Sequence, residues 1–265
     1  MMRREVIIEA FKKYVSGYDL GNPMIIDKMD HTFKVTDNCE RIAESIGLLK
    51  EQVNIAWLTG LLHDFGRFEQ VRRYGTFSDL ESCDHAELGA DILFKDGLIK
   101  TFLSDEELNK WGKLLETAIR QHNKLALPDD LDQGTKLYCE LIRDADKTDI
   151  FRCISNLAPS RYVGNGTVKN SHNGIASNEV MDCVYGHRCV PNALITNLFE
   201  LRVAHCCYAF GLCFDETFRM VKDQGYLFSL TSERDAEGNM IWNEMQTKQL
   251  RAVRAALEDF WERRL

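Results

Sequence analysis

Only four prolines interrupt the 265 residues, and between them apolar side chains recur at spacings of three and four. That repeat aligns side chains along one face of an α-helix, so the chain is expected to be all-α. No strand run followed by a phosphate-binding glycine loop occurs, which removes the nucleotide-binding α/β folds. Helices are expected over 5–15, 28–45, from Glu51 onward with Val53, Trp57, Gly60 and Leu61 on the buried face, and then over 105–122, 135–154, 193–223 and 247–264. A further helix carries the string HAELGADILF. Asp84 precedes it as an N-cap, with Glu87 completing a capping-box pattern. Residues 18–22 read as a loop and 67–82 as an ordered loop broken at Gly75. The stretch 159–191, rich in Gly, Asn and Ser, reads as a lid, a small insertion or a long surface loop. With 45% hydrophobic residues the chain has enough apolar surface for one large core. The expected organisation is a single domain over 1–265, with a helical core at about 25–155 and a C-terminal helical extension at 156–265.

A net charge of −8 and a pI of about 5.5 repel phosphate backbones, so nucleic acid is disfavoured as a partner. The opening MMRREVIIEAFKKYV mixes charges of both signs and lacks the apolar run of a signal peptide. No stretch approaches the roughly 20 apolar residues of a membrane span. The nine cysteines are odd in number and mostly lie inside apolar helical patterns. They are expected to be reduced, buried thiols of a cytoplasmic protein.

The chemistry concentrates in LTGLLHDFGRFE, where His63 and Asp64 end a strongly apolar helix. Two polar groups there are costly to bury unless something satisfies them, and an ion beside the helix end would do so. His31 shares a stripe with Val35, Cys39 and Ile42. His122 ends a stripe of Leu115, Ala118 and Ile119, and His85 opens its helix beside Asp84. One histidine on an apolar face is commonly a hydrogen-bonded core residue; four of the seven in such places point to a shared metal. A closing carboxylate comes from IRDADKTD, where Asp146 lies in line with Cys139, Ile142, Ile150 and Cys153. Asp144 is almost as well placed, and the helical wheel does not choose between them.

The ordered series of a histidine, a His-Asp pair and a distant aspartate resembles the HD superfamily of metal-dependent phosphohydrolases. The likeness covers roughly residues 25–155, and beyond about 155 only a loose similarity to bacterial proteins of the HDxGRFE type remains. It implies an HD-domain helical bundle with additional C-terminal helices, and it selects Asp146, since the family favours the aspartate of an ADK string. His85 and His122 match the two extra histidines of the binuclear branch. The implied centre puts His31, His63, Asp64 and Asp146 on one ion, with Asp64, His85 and His122 on or near a second. Imidazole and carboxylate donors without cysteine suit divalent Fe, Mn, Co, Ni or Zn, and the sequence does not discriminate among them; iron or manganese is favoured, with Mg as a further choice.

The expected activity is hydrolysis of a phosphomonoester or phosphodiester in a nucleotide or other small molecule by metal-activated water, with Asp64 in the catalytic set. Arg67 and Lys147 are candidates for gripping phosphate, although Arg67 also suits a salt bridge to Asp64 or Glu69. Glu69 and Asp84 are candidate acids or orienting partners, and Arg72, Arg73 and Tyr74 candidate entrance residues. His205 reads as a core residue. His172 and His187 fall in the irregular stretch. Two alternatives share the scaffold: a mixed-valent di-iron oxygenase and a non-catalytic metal-binding regulatory module. Oligomeric state is not legible.

Overall fold

The computed structural model describes residues 2–155, 174–235 and 237–264, and among these every regular element is helical. The contacts divide the chain into two compact units, Met1–Asp146 and Lys147–Leu265. The first contains α1 (Arg4–Val15), α2 (Pro23–Ser45), α3 (Lys50–Leu62), α4 (Phe65–Tyr74), α5 (His85–Ala90), α6 (Asp105–Gln121) and the opening turns of α7 (Gln133–Ser155).

Helix α3 is buried on every side from Val53 to Leu62, as a helix surrounded by others must be. It crosses α2 at Gly60, where a Cβ would stand 2.8 Å from the Cα of Thr36. Helix α2 begins ahead of the expected residue 28, because the Asn22 side chain accepts from Met24 N at 2.9 Å and Pro23 occupies the first turn. A cap and a pre-set φ start the helix before its apolar periodicity becomes visible.

The expected loop over 67–82 is a correction. Its first part is α4, which ends at Gly75 in the left-handed region with φ 65°, and the rest includes a single 3-10 turn, Asp79–Glu81. The α4 pattern was hidden because its buried face includes the polar Glu69 and Gln70. Glu69 is held by Arg72 (2.7 Å) and Arg73 (2.5 Å), while Phe65 and Phe68 pack with Phe11 and Tyr14. Gly66 is where α4 meets α5: a Cβ there would lie 2.3 Å from the carbonyl oxygen of His85 and 2.5 Å from Gly89 N.

Asp84 caps α5 by accepting from Ala86 N and Glu87 N. Glu87 instead turns to Arg120, at 2.5 Å, because an ion pair outcompetes the return bond of a capping box. Ser104 and Glu107 make a full box at the start of α6. Arg143 of α7 closes the other end of α6, donating to the carbonyls of Gln121 (3.1 Å), Leu125 (3.0 Å) and Lys124. These contacts fix the two helix ends that carry His85 and His122.

The second unit contains α8 (Asn178–Tyr185), α9 (Leu198–Cys207), α10 (Asp215–Gln224), α11 (Tyr226–Ser229) and α12 (Glu244–Glu262). Its core gathers Phe151, Val180, Phe199, Phe218, Leu257 and Trp261. Two further expectations are corrected here. The stretch called irregular includes α8, started by the Ser177 side chain accepting from Val180 N; its part over 159–173 lies outside the described residues. The expected helix over 193–223 is two helices, since after Cys207 the chain makes the 3-10 turn Tyr208–Gly211 and extends through Leu212 before Asp215 and Glu216 open α10. Acidic residues favour a helix start over a helix interior, because they complement the positive end of the dipole. None of the nine cysteines is in a disulfide, and among the described residues no helix is long and apolar enough to cross a membrane.

Candidate metal centre

The buried polar groups of the first unit converge on Asp64, which lies between α3 and α4 and is 3% exposed. Its Oδ2 faces His31 Nε2 at 3.5 Å and His63 Nε2 at 3.3 Å. Its Oδ1 faces His85 Nε2 at 3.3 Å and His122 Nε2 at 3.5 Å. Asp146 completes the first side, with Oδ1 3.1 Å from His31 Nε2 and 3.7 Å from His63 Nε2. The neighbouring Asp144 is buried in the same helix, but the converging groups take in Asp146 and not Asp144.

Hydrogen bonds settle which ring nitrogen faces inward. His63 Nδ1 lies 2.7 Å from the carbonyl of Gly60, and His122 Nδ1 lies 2.7 Å from the carbonyl of Ile119. A carbonyl only accepts, so both Nδ1 atoms carry a proton, and in the neutral ring both Nε2 atoms present a lone pair. His85 Nδ1 is bound at 2.6 Å to Asp79, a carboxylate that likewise accepts. The lone pairs of His85 and His122 therefore meet Nε2 to Nε2 at 3.0 Å, which is repulsive unless a cation or a proton lies between them. His63 Nε2 and Asp64 Oδ1 are buried without a hydrogen-bond partner, a costly state that coordination would relieve.

Two triads of donor atoms lie within 4.8 Å of one another, His31–His63–Asp64 and Asp64–His85–His122, joined through a third, His63–His122–Asp146. The residues present thus fit one or two metal ions. Electrostatics agree. Burial pushes the Asp64 carboxyl up, but Lys28 and the surrounding histidines outweigh it and hold the group well below the usual carboxylate range. Asp146 is likewise lowered, with His31 and His63 overcoming burial. Burial, reinforced by Arg67, brings His85 down to about 4, so its ring is neutral and free to coordinate at neutral pH.

A model of the HD domain matches residues 29–150. The chain carries an HD domain. No curated protein and no solved structure matches the chain. The matched segment contains all six converging residues, from His31 in α2 to Asp146 in α7.

Around the HD-domain cluster, three residues escaped the sequence reading. Lys28, one turn before His31 on α2, donates to Asp64 Oδ2 at 2.7 Å and sits 5.2 Å from the ring centre of Phe77. Asp79 and Asn123 stand behind His85, Asn123 donating to Asp79 Oδ2 at 3.3 Å. Lys28 had a local signal in its i,i+3 relation to His31, and Asn123 directly follows His122. Asp79 comes from a separate turn that meets the centre through tertiary packing.

Arg67 lies beside the cluster, its Nε 3.7 Å from Asp64 Oδ1 and lacking a hydrogen-bond partner. Its Nη1 is bound to Gln70 (2.7 Å), Phe77 O (2.7 Å) and Asp79 (2.9 Å). Lys147 opens the second unit, with its ammonium against Gly211. Glu69 faces away, toward Arg72, Arg73 and Tyr18, and Asp84 serves as the α5 cap. In the second unit, His205 stacks edge-on to Tyr208 at 5.5 Å, and His187 packs on Phe210 and Phe260. His172 lies outside the described residues.

Proposed function

We propose that the HD domain is a metal-dependent phosphohydrolase that cleaves a phosphomonoester or phosphodiester of a small molecule, a nucleotide being the first class to try. The observation that carries this reading is Asp64, a buried carboxylate with each oxygen turned toward its own pair of imidazole nitrogens. In this reading His31, His63, Asp64 and Asp146 hold one divalent ion, while Asp64, His85 and His122 hold a second, with iron or manganese first among the metals. Bound ions would supply the acidity that makes water a nucleophile near neutral pH and the charge that offsets a phosphoryl group.

The protein's own residues divide the remaining work. The carbonyls of Gly60 and Ile119 and the carboxylate of Asp79 orient three imidazoles, so that coordination needs no rearrangement. Two carboxylates against two divalent ions would leave net positive charge, which suits an anionic substrate and answers how an acidic protein attracts one. Arg67 has an uncommitted Nε beside Asp64 and is assigned to the substrate phosphate. Lys147 is assigned there on sequence position alone.

The test is metal analysis of protein purified without chelators, followed by a phosphate-ester panel assayed with Mn, Fe, Co, Ni and Mg. The expected result is bound transition metal and metal-dependent phosphate release. Protein that takes up no transition metal, or metal-loaded protein inert on both monoesters and diesters, overturns the reading.

A further inference from the structure

Asp79 lies in the 3-10 turn Asp79–Glu81, outside the six converging residues, and both edges of its carboxylate are occupied. Oδ2 accepts from His85 Nδ1 at 2.6 Å and from Asn123 Nδ2 at 3.3 Å. Oδ1 accepts from Arg67 Nη1 at 2.9 Å and from Gln70 Nε2 at 2.9 Å. One edge thus holds a residue of the metal cluster, and the other holds the cation that stands beside Asp64.

We infer that Asp79 is a positioning residue with two outputs: it locks His85 in the tautomer that offers Nε2 to a metal, and it aims Arg67 at the substrate phosphate. The inference rests on the proposed metallohydrolase reading. Its physical core is that a carboxylate accepts on both edges, whereas an amide of the same shape accepts on one and donates on the other. In an Asp79→Asn protein an NH2 group must face donors, either His85 and Asn123 or Arg67 and Gln70. Asparagine therefore fills the space but serves only one side. The turn is independently tied to α4, since Arg67 Nη1 also donates to Phe77 O at 2.7 Å and Gln70 Nε2 to Ser82 Oγ at 2.9 Å. Loss of the Asp79 carboxylate should consequently leave the backbone in place while releasing His85 Nδ1 and removing one of the three acceptors that aim Arg67.

The experiment compares the full-length parent with Asp79→Asn and Asp79→Ala in three measurements. Imidazole 15N spectra of metal-free protein should show His85 as the Nδ1–H tautomer in the parent and lose that form in Asp79→Ala. Titration with Mn(II) should show the weaker of two binding events reduced about 10–100-fold in Asp79→Ala, with the tighter event unchanged, whereas Asp79→Asn should lose either that affinity or the parental KM, according to which edge its NH2 group faces. With p-nitrophenyl phosphate at saturating metal, KM should rise in Asp79→Ala with a smaller change in kcat. A residue that merely fills space would be rescued by the isosteric Asp79→Asn. Parental His85 spectra in Asp79→Ala, or parental Mn(II) affinities in both variants, overturn the inference. A parent that binds a single ion, with the His85 tautomer still lost in Asp79→Ala, defeats the two-ion reading but upholds the tautomer lock.

Discussion

Each unit buries a carboxylate among helices, Asp64 at 3% exposure in the first and Glu200 at 2% in the second, yet the two have opposite surroundings. Glu200 is satisfied by donors of its own fold: Oε1 accepts from Ser177 N at 3.0 Å, and Oε2 from Thr196 N and Oγ1, each at 2.8 Å. These bonds tie the segment before α8 to the start of α9. Asp64 has a lysine and four imidazole nitrogens about it, with Oδ1 lacking a hydrogen bond. Burial alone thus does not separate a structural acid from a chemical one; the source of the partners does. Backbone amides are consumed in holding chain segments together, whereas converging lone pairs remain to be satisfied by something from outside.

The sharpest way to break this contrast is to remove each carboxylate in turn. Asp64→Ala should lose bound metal and drop turnover to background, read by metal analysis and phosphate release; retained metal would place the ions elsewhere. Glu200→Ala should keep the metal but cost about 2–4 kcal/mol in urea unfolding, since two amides lose their acceptor. A Glu200→Ala protein of parental stability would erase the distinction from the structural side.

Gly66→Ala puts a Cβ against the His85 carbonyl and Gly89 N, an overpacking expected to cost about 1–3 kcal/mol. It should also weaken metal binding on the His85 side, because α5 must retreat to make room. Parental metal affinity alongside lowered stability would show that the α4–α5 contact does not position the centre.

The pH response offers a smaller effect in the second unit. Burial, with Arg202 nearby, lowers His205 from 6.5 to about 3, so the folded state resists a proton that the unfolded state takes up. Stability from this group is complete above about pH 6.5 and declines as pH falls toward 3. A His205→Gln protein should show a flatter stability profile across that window, measured by thermal unfolding in metal-free protein; an unchanged slope would remove His205 from the account. Smallest of all, Arg73→Ala should cost less than about 1 kcal/mol, because Arg72 still holds Glu69 and Arg73 is half-exposed.

Several site residues were legible because helical periodicity reports which way a side chain faces. His31 and His122 stand in apolar stripes, and all members of both stripes are buried. The same wheel was blind between Asp144 and Asp146, since both face protein; the family resemblance made the choice, and Asp146 Oδ1 stands 3.1 Å from His31 Nε2. Helix α4 was illegible because Glu69 and Gln70 sit on its buried face, made acceptable by arginines one turn along and by the Asp79 turn. Lys28 could have been suspected from its spacing. Asp79 carried no signal of its own, being one acidic residue in a polar turn.

The amino-acid sequence by itself determined the all-helical class, the inward faces of the helices and the residue types able to bind a metal, because these depend on local periodicity and on intrinsic side-chain chemistry. Tertiary structure decided which nitrogen of each imidazole faces inward, that Asp64 stands between two histidine pairs, and that Asp79 backs His85. Those outcomes depend on distances between segments far apart in the chain, and such distances are set by helix crossings at contacts like Gly60 and Gly66, where the absence of a side chain lets two backbones meet.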